Sequence, residues 1–331
     1  MQITSLNDII QGELLNSPAI SFIYNVKTDV NKIQEGDLFF ASNHEEIVQA
    51  LANGAFAVVV EDNTPILDSE IAWIKVDNIP KAIIKYIRYK LSQLEVEAYS
   101  CDSITYELLK IFYSNSTMEK TIWLFSSNLS AILNTVNDIK EHDIIFCSNQ
   151  ELLHSLYPKN SAFAISAFKV DNLIEHSLFE TSFSYRDHYF LRLRISSLFI
   201  HQFLTVFEFL DSNVDVNKLK KLNYFKPIFI DKFFNACEYG KSDKFILIQE
   251  KKELALNELH YIHEKYKYAK TIIFSKEAVA FENFDSTQVA AIEDIFQLLQ
   301  NRPFNAVYII GFKKQKIEAL FKNNYTTNSL L

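Results

Sequence analysis

Apolar and polar positions alternate along this chain in three successive patterns. From residue 1 to about 92, short apolar runs are separated by amphipathic stretches. Leu6 to Leu15 is predicted as a short helix, with Asn7 and Asp8 placed to accept from the open amides at its start. Asp37 to Ala41 predicts a strand, and Glu45 to Asn53 a helix with Ile47, Ala50 and Leu51 on one face. Gly54 stands where a left-handed helix cap belongs. Phe56 to Val60 and Ile71 to Val76 read as buried strands, and Pro80 opens a helix running to about Leu91.

From about 95 to 235 the apolar runs Val96 to Tyr99, Thr121 to Phe125, Ile144 to Cys147 and Ala162 to Ile165 predict strands, and Thr105 to Tyr113 a helix. Phe183 to Ile195 predicts a hairpin turning near Arg186 and Asp187. Tyr189, Leu191, Leu193 and Ile195 would share one face of its second arm, with Arg192 and Arg194 on the other. Ile200 to Leu210 and Val216 to Asn223 read as helices, the second capped by Asp215. Beyond 240 the pattern is a clean alternation. Strands are predicted at Phe245 to Ile248, Thr271 to Phe274 and Ala306 to Ile310. Helices are predicted at Glu253 to Tyr266, at Thr287 to Gln300 behind Ser286, and at Lys314 to Phe321. That order implies a largely parallel sheet covered on both faces.

Composition narrows the class. The chain has 331 residues, 48% of them apolar and 22% charged, with a formal charge of −8. This is a globular balance, long enough for two or three domains, and its sign argues against nucleic acid as a partner. No apolar run reaches the roughly 20 residues that span a bilayer, and Met1 to Asp8 has no basic-then-apolar leader pattern, so a cytoplasmic protein is expected. Cys101, Cys147 and Cys237 are unpatterned, which fits reduced thiols and no zinc site. Phenylalanine is abundant, at 28 residues, and glycine scarce, at five, with none between Gly54 and Gly240.

The segment "TDVNKIQEGDLFFA", Thr28 to Ala41, followed by "EEIVQALANGAFAVVVED", resembles the N-terminal domain of the Mur ligases, the bacterial enzymes that add amino acids to the UDP-linked peptidoglycan precursor. The stretch from Phe183 to Ile228 is similar to the hairpin and helices that close the family's central ATPase domain. The order of units is nearest to the branch that adds D-alanyl-D-alanine. The resemblance implies a three-domain α/β architecture with shortened central and C-terminal domains: 1–94 N-terminal-like, 95–236 central-like and 237–331 C-terminal-like. It also implies a UDP-muropeptide pocket near Thr28, Asp29, Asn31, Ser42, Asn43 and His44, although the family's Asp-Ser-Arg is here Thr28-Asp29-Val30-Asn31, and His44 reads more simply as a surface residue near a helix start than as a remnant of the family's histidine.

The departures decide the expected chemistry. Where the family carries a strand, Thr-Gly-Ser-x-Gly-Lys-Thr and a helix, this chain reads "VEAYSCDSITYELLKIF". Glycines in such a loop let backbone amides close on phosphates, lysine adds charge and threonine holds magnesium. Ser100, Cys101, Asp102, Ser103 and Thr105 supply no glycine and no lysine, and Asp102 adds a negative charge. In the third unit the family's Asp-x-Tyr-Asn-x-Asn-Pro phrase is replaced by Gln249-Glu250-Lys251-Lys252-Glu253.

The other candidates have simpler explanations. His260 and His263, with Glu258 and Glu264 nearby, lack a third zinc ligand and fit an amphipathic helix. Glu107, Glu141 and Asp143 fit surface carboxylates, and Arg192 and Arg194 a wet sheet face; the Phe-rich helix Leu198 to Leu210 fits core first and a partner-facing patch second. The expectation is therefore a non-catalytic Mur-ligase homologue without ATP, magnesium or catalytic residues, with a binding, scaffolding or regulatory role in peptidoglycan precursor metabolism and with UDP-linked muropeptide or cell-wall synthesis proteins as partners. The rival is a divergent ATP-dependent ligase.

Overall fold

The computed structural model describes residues 1–62, 64–113, 120–242, 244–278, 284–300 and 302–319. The chain forms two compact units, Met1–Ala164 and Ile165–Leu331.

The first unit holds two sheets. Helix α1 (Ile3–Ile10), strands β1 (Glu13–Leu14), β2 (Val26–Lys27) and β3 (Leu38–Phe40), helix α2 (His44–Ala52), strands β4 (Ala57–Val60) and β5 (Ala72–Lys75) and helix α3 (Ile79–Ser92) come first. Their sheet runs β1-β5-β4-β3-β2, parallel except for the short edge strand β1. The second sheet follows from β6 (Glu97–Ser100), α4 (Ser103–Phe112), β7 (Ile122–Phe125), α5 (Leu129–Thr135), β8 (Ile144–Cys147), α6 (Gln150–Leu156) and β9 (Ser161–Ala162). It is parallel throughout, in the order β7-β8-β6-β9. Leu38, Phe40, Val59 and Ile74 from the first sheet and Phe125, Ile145 and Cys147 from the second share one buried cluster with α1, α3, α5 and α6. Helix α3 is the pivot of that layer, packing on α1, α5 and α6. The opposite face of the first sheet, with Phe39, Val58 and Trp73, is covered by Ile47 and Ala50 of α2.

The turn before β3 shows how the quoted motif folds. Asp37 is 1% exposed, and its carboxylate accepts from the Gln34 amide and the Asn25 side chain, both at 3.1 Å. Its carbonyl accepts from Phe56 N, and Gly36 N donates to Gly54 O, which joins the two halves of the motif. Gly36 and Gly54 have φ of +93° and +87°, where a side chain is strained, and a Cβ on Gly36 would lie 2.1 Å from the Tyr24 ring.

Two expectations in this unit need correction. The first helix spans Ile3–Ile10, not Leu6 to Leu15: Gln11 turns left-handed at φ 56°, and Glu13–Leu14 is a strand on the sheet edge. Asn7 and Asp8 therefore sit inside the helix rather than at its cap. The strand expected at Ala162 to Ile165 is only Ser161–Ala162.

The second unit opens with an antiparallel sheet, β10 (Asp171–Ser177), β11 (Glu180–Tyr185) and β12 (His188–Leu193), packed by α7 (Ile200–Phe209). The edge-on rings of Phe183, Phe190, Phe203 and Phe207 build this contact, so the Phe-rich helix is core. The hairpin turns at Arg186 and Asp187 as expected, but its faces do not alternate simply. Arg192 takes φ 48° and the β11–β12 register shifts between Thr181 and Phe183. The bulge leaves Tyr189 and Leu191 exposed while Leu193 is buried. Val216–Lys221 is a 3-10 helix rather than an α-helix, capped by Asp215 as expected.

The five-stranded sheet of this unit contains β13 (Ile228–Phe229), β14 (Phe245–Gln249), β15 (Thr271–Ser275), β16 (Ser286–Gln288) and β17 (Ala306–Ile310), in the order β13-β14-β17-β15-β16. All pairs are parallel except β13 with β14. Helices α8 (Lys252–Lys265) and α9 (Ile292–Gln300) belong to it. The helix expected from Thr287 starts at Ile292, because Ser286–Gln288 extends the sheet beside β15. Residues 314–319 are helical, and the rest of the helix expected to reach Phe321 lies outside the described residues.

Candidate functional site

The start of α4 is where the resemblance places a phosphate loop. Strand β6 ends at Ser100, and Asp102 is the N-cap. Its carboxylate accepts from Ile104 N at 2.8 Å, Thr105 N at 3.0 Å and the Thr105 hydroxyl at 2.5 Å. A helix start attracts an anion because its first amides have no partner within the helix; here the chain's own carboxylate occupies that position. Cys101 N donates to Cys147 O at 3.1 Å, and Phe163 N to Ser100 O at 2.7 Å, which ties the turn to its neighbouring strands. Burial, with Asp102 and Cys147 nearby, pushes the Cys101 thiol up to about 12, so it is no nucleophile at neutral pH.

A pocket of about 700 Å³ in the first unit opens at the carboxyl ends of β3 and β4. Parallel α/β sheets commonly bind ligands at that end. Its wall is formed by the beginnings of α2, α3 and α5: Ser42, Asn43 and His44; Ile79, Pro80 and Ile83; and Ser127 to Ser130. Each helix start is capped by an asparagine, with Asn43 accepting from Glu46 N, Asn78 from Lys81 N and Asn128 from Ala131 N. Glu61 accepts from Ile79 N at 2.6 Å and Glu46 from Ser42 N at 3.1 Å. Thr28 also lines the pocket; its hydroxyl is buried and has no hydrogen-bond partner among the described residues. Such a group calls for a partner. Glu61 and Asp62 are the charged carboxylates of the lining, which contains no lysine or arginine.

Four of the six expected pocket residues, Thr28, Ser42, Asn43 and His44, thus come together. Asp29 and Asn31 do not line the cavity. Asp29 accepts from Asn31 N at 3.1 Å and Asn31 from the Gln49 side chain at 3.3 Å, so both hold the short turn Val30–Lys32 against α2. Sequence reasoning missed Glu61, Asp62, Thr64 and the Ser127–Ser130 segment. The pattern Ser126-Ser127-Asn128 before an apolar run is a helix-start signal that would have found the last of these.

The remaining candidates are structural. His260 and His263 pack edge-on against the Phe284 ring at 5.2 and 5.8 Å, and no group of three metal-ligating side chains occurs among the described residues. Asp143, expected at the surface, is instead buried, where it accepts from Lys140 N at 2.9 Å and from the Trp123 indole at 2.8 Å. Glu107 lies 3.5 Å from Lys110. Arg192 donates to Glu180 at 2.6 Å, and Arg194 stacks over Tyr239 at 4.9 Å. Gln249 and Glu250 are held by Glu258 and by Lys314 N, and Lys252 pairs with Glu277.

No family model matches the sequence, and no curated protein matches it. Among solved structures, MurF from Acinetobacter baumannii superposes with a TM-score of 0.52 at 13% identity, over 97% of this chain and 98% of that one. The chain has the fold of a Mur ligase. MurF ligase from Thermotoga maritima in complex with ADP is similar at 15% identity and a TM-score of 0.49, over 92% of this chain and 98% of that one. The Mur-ligase fold is a mixed α/β, multi-domain architecture, as the motif near the start implies. No helix of the described residues is long and apolar enough to cross a membrane.

Proposed function

We propose that this protein is a non-catalytic Mur-ligase homologue that binds a peptidoglycan precursor, or the enzymes handling it, without consuming ATP. The observation that carries this reading is Asp102. Its carboxylate engages the amides of Ile104 and Thr105 at the helix start where the family's loop would hold triphosphate. A phosphate entering there would have to displace a covalently tethered anion, and the turn from Ser100 to Thr105 contains no lysine to offset the charge.

The pocket of the first unit supports binding of a hydroxyl- and amide-rich ligand. Ser42, Asn43, Thr64, Asn128 and Ser130 offer neutral donors and acceptors, and Thr28 has an unpaired hydroxyl. Glu61 and Asp62, without a cation in the lining, disfavour a diphosphate. The proposed ligand portion is therefore the sugar–peptide part of a UDP-linked muropeptide rather than its nucleotide.

Thermal-shift titrations separate the readings. UDP-N-acetylmuramoyl-peptide is expected to stabilise the protein saturably, and UDP alone or magnesium-ATP is expected to leave it unchanged. Saturable stabilisation by ATP with phosphate release in the presence of a peptide acceptor would establish the rival ligase instead. Stabilisation by UDP alone, equal to that by the muropeptide, would overturn the assignment of the pocket.

A further inference from the structure

The second unit holds a small cavity of about 40 Å³, just beyond strand β12 and beside the 3-10 helix Val216–Lys221 and the loop that follows it. Three cationic residues line it, Arg194, Lys220 and Lys226, and no carboxylate does. Much of the remaining wall is apolar or aromatic, Phe179, Leu219 and Phe225 among it. Cations gathered at one cavity favour an anion between them.

Carboxylates are not scarce in this chain, where 41 Asp and Glu face 33 Lys and Arg. The hairpin shows the usual outcome: Arg186 donates to Glu208 at 2.7 Å and Arg192 to Glu180 at 2.6 Å. Arg194, two residues on, forms no ion pair among the described residues, and neither do Lys220 and Lys226. Two of the charged ends are nevertheless held beside lining residues. The Arg194 guanidinium lies 4.9 Å from the centre of the Tyr239 ring, and Lys226 Nζ donates to Lys220 O at 3.2 Å. Lys314 fastens the loop from behind, its Nζ donating to Asn223 O at 3.4 Å and to Lys226 O at 3.3 Å.

The volume exceeds the roughly 10–15 Å³ that admits one water and falls far below the roughly 300 Å³ at which pockets for whole organic ligands begin. The occupant is therefore a group of a few atoms, and a nucleotide's base and sugar find no room. A guanidinium fork and two ammonium groups match the oxygens of a tetrahedral oxyanion. Three positive charges are offset better by a dianion than by a single carboxylate.

We propose that this cavity binds orthophosphate, with Arg194, Lys220 and Lys226 as its cationic donors. The site is built entirely from residues of the second unit, and it stands or falls independently of what the pocket of the first unit holds.

The test is titration of sodium phosphate into the full-length protein, followed by calorimetry and by thermal shift, with ionic strength held constant by sodium chloride. Saturable binding is expected, with a rise in Tm that chloride alone does not give. Arg194→Gln and the double variant Lys220→Gln/Lys226→Gln should each weaken binding at least about tenfold, and Lys241→Gln, a lysine outside the lining, should leave it unchanged. All four side chains are exposed, so these variants fold, which circular dichroism and urea denaturation verify. Failure to saturate, or equal stabilisation by every salt at the same ionic strength, would overturn the proposal, because that response is charge screening. Variants that hold phosphate as tightly as the parent would do the same. Acetate binding as tightly as phosphate would reassign the cavity to carboxylates, and UDP competing with phosphate would refute the argument from size; either result sinks the assignment.

Discussion

Asp102 turns the start of α4 from an anion receptor into a closed helix cap. Its three acceptor contacts include the Thr105 hydroxyl at 2.5 Å, so its loss removes more than a simple cap. Asp102→Ala is expected to lower stability by about 1–2 kcal/mol in urea denaturation and to leave ATP binding absent. The missing glycine and lysine were legible in the sequence, but the cap was not. The helix is expected from Thr105 and begins at Ser103, because Asp102, which reads as a loop charge, is a better cap than any residue after it. Glu258 was hidden for a different reason. On α8 it shares a face with Ala255, Leu259 and Ile262, yet its partners Gln249 and Tyr308 come from separate strands. Periodicity reports the face a residue is on and says nothing of what meets it there. Burial raises the Glu258 carboxyl from 4.5 to about 7. The folded protein therefore holds this proton more tightly than the unfolded chain does. The corresponding stability is fully present below about pH 4.5 and is lost as pH rises through about 7, by up to roughly 3 kcal/mol. Glu258→Gln should be the more stable protein at pH 8, and its advantage should shrink steadily toward pH 4.5. A difference between the two proteins that is independent of pH would show that Glu258 titrates normally.

Among the elements, some boundaries follow from local chemistry and others only from the pairing partner. The β3–α2–β4 segment follows from "GDLFFA" and "ANGAFAVVV", since Gly36, Asp37 and Gly54 close the turns on one another. Gly36→Ala places a Cβ against the Tyr24 ring and demands φ of +93°; a loss of about 1–3 kcal/mol is expected, read by chemical denaturation. A smaller loss, about 1 kcal/mol, is expected for Gly54→Ala, where the nearest atom is 3.1 Å from the added carbon. The hairpin shows the opposite case. Strict alternation assigns Leu191 and Leu193 to one face, and the bulge at Arg192 separates them. The signal for that bulge is the pairing of Ser182, whose hydroxyl accepts from Arg192 N at 2.8 Å, and a pairing partner is not written into the strand itself. Strand Ser286–Gln288 was likewise missed because its sequence permits a helix and only its neighbour β15 makes it a strand.

Across the whole molecule, the fold of a Mur ligase was readable from about a tenth of the chain, while most of the candidate pocket was not. Thr28, Ser42, Asn43 and His44 lie on the motif, but Ser127 to Ser130 arrive from more than eighty residues away through the shared core under α3. The motif that carries the resemblance is a folding device, whereas the resemblance places a phosphate loop at the β6–α4 turn, where this sequence has Asp102. Isothermal titration of magnesium-ATP into the full-length protein, repeated on Asp102→Ala, tests that contrast most directly. No saturable heat is expected in either case up to millimolar nucleotide. A saturable isotherm in the parent protein, with the nucleotide's phosphates contacting the amides of residues 100–105 in a co-crystal, would contradict the account.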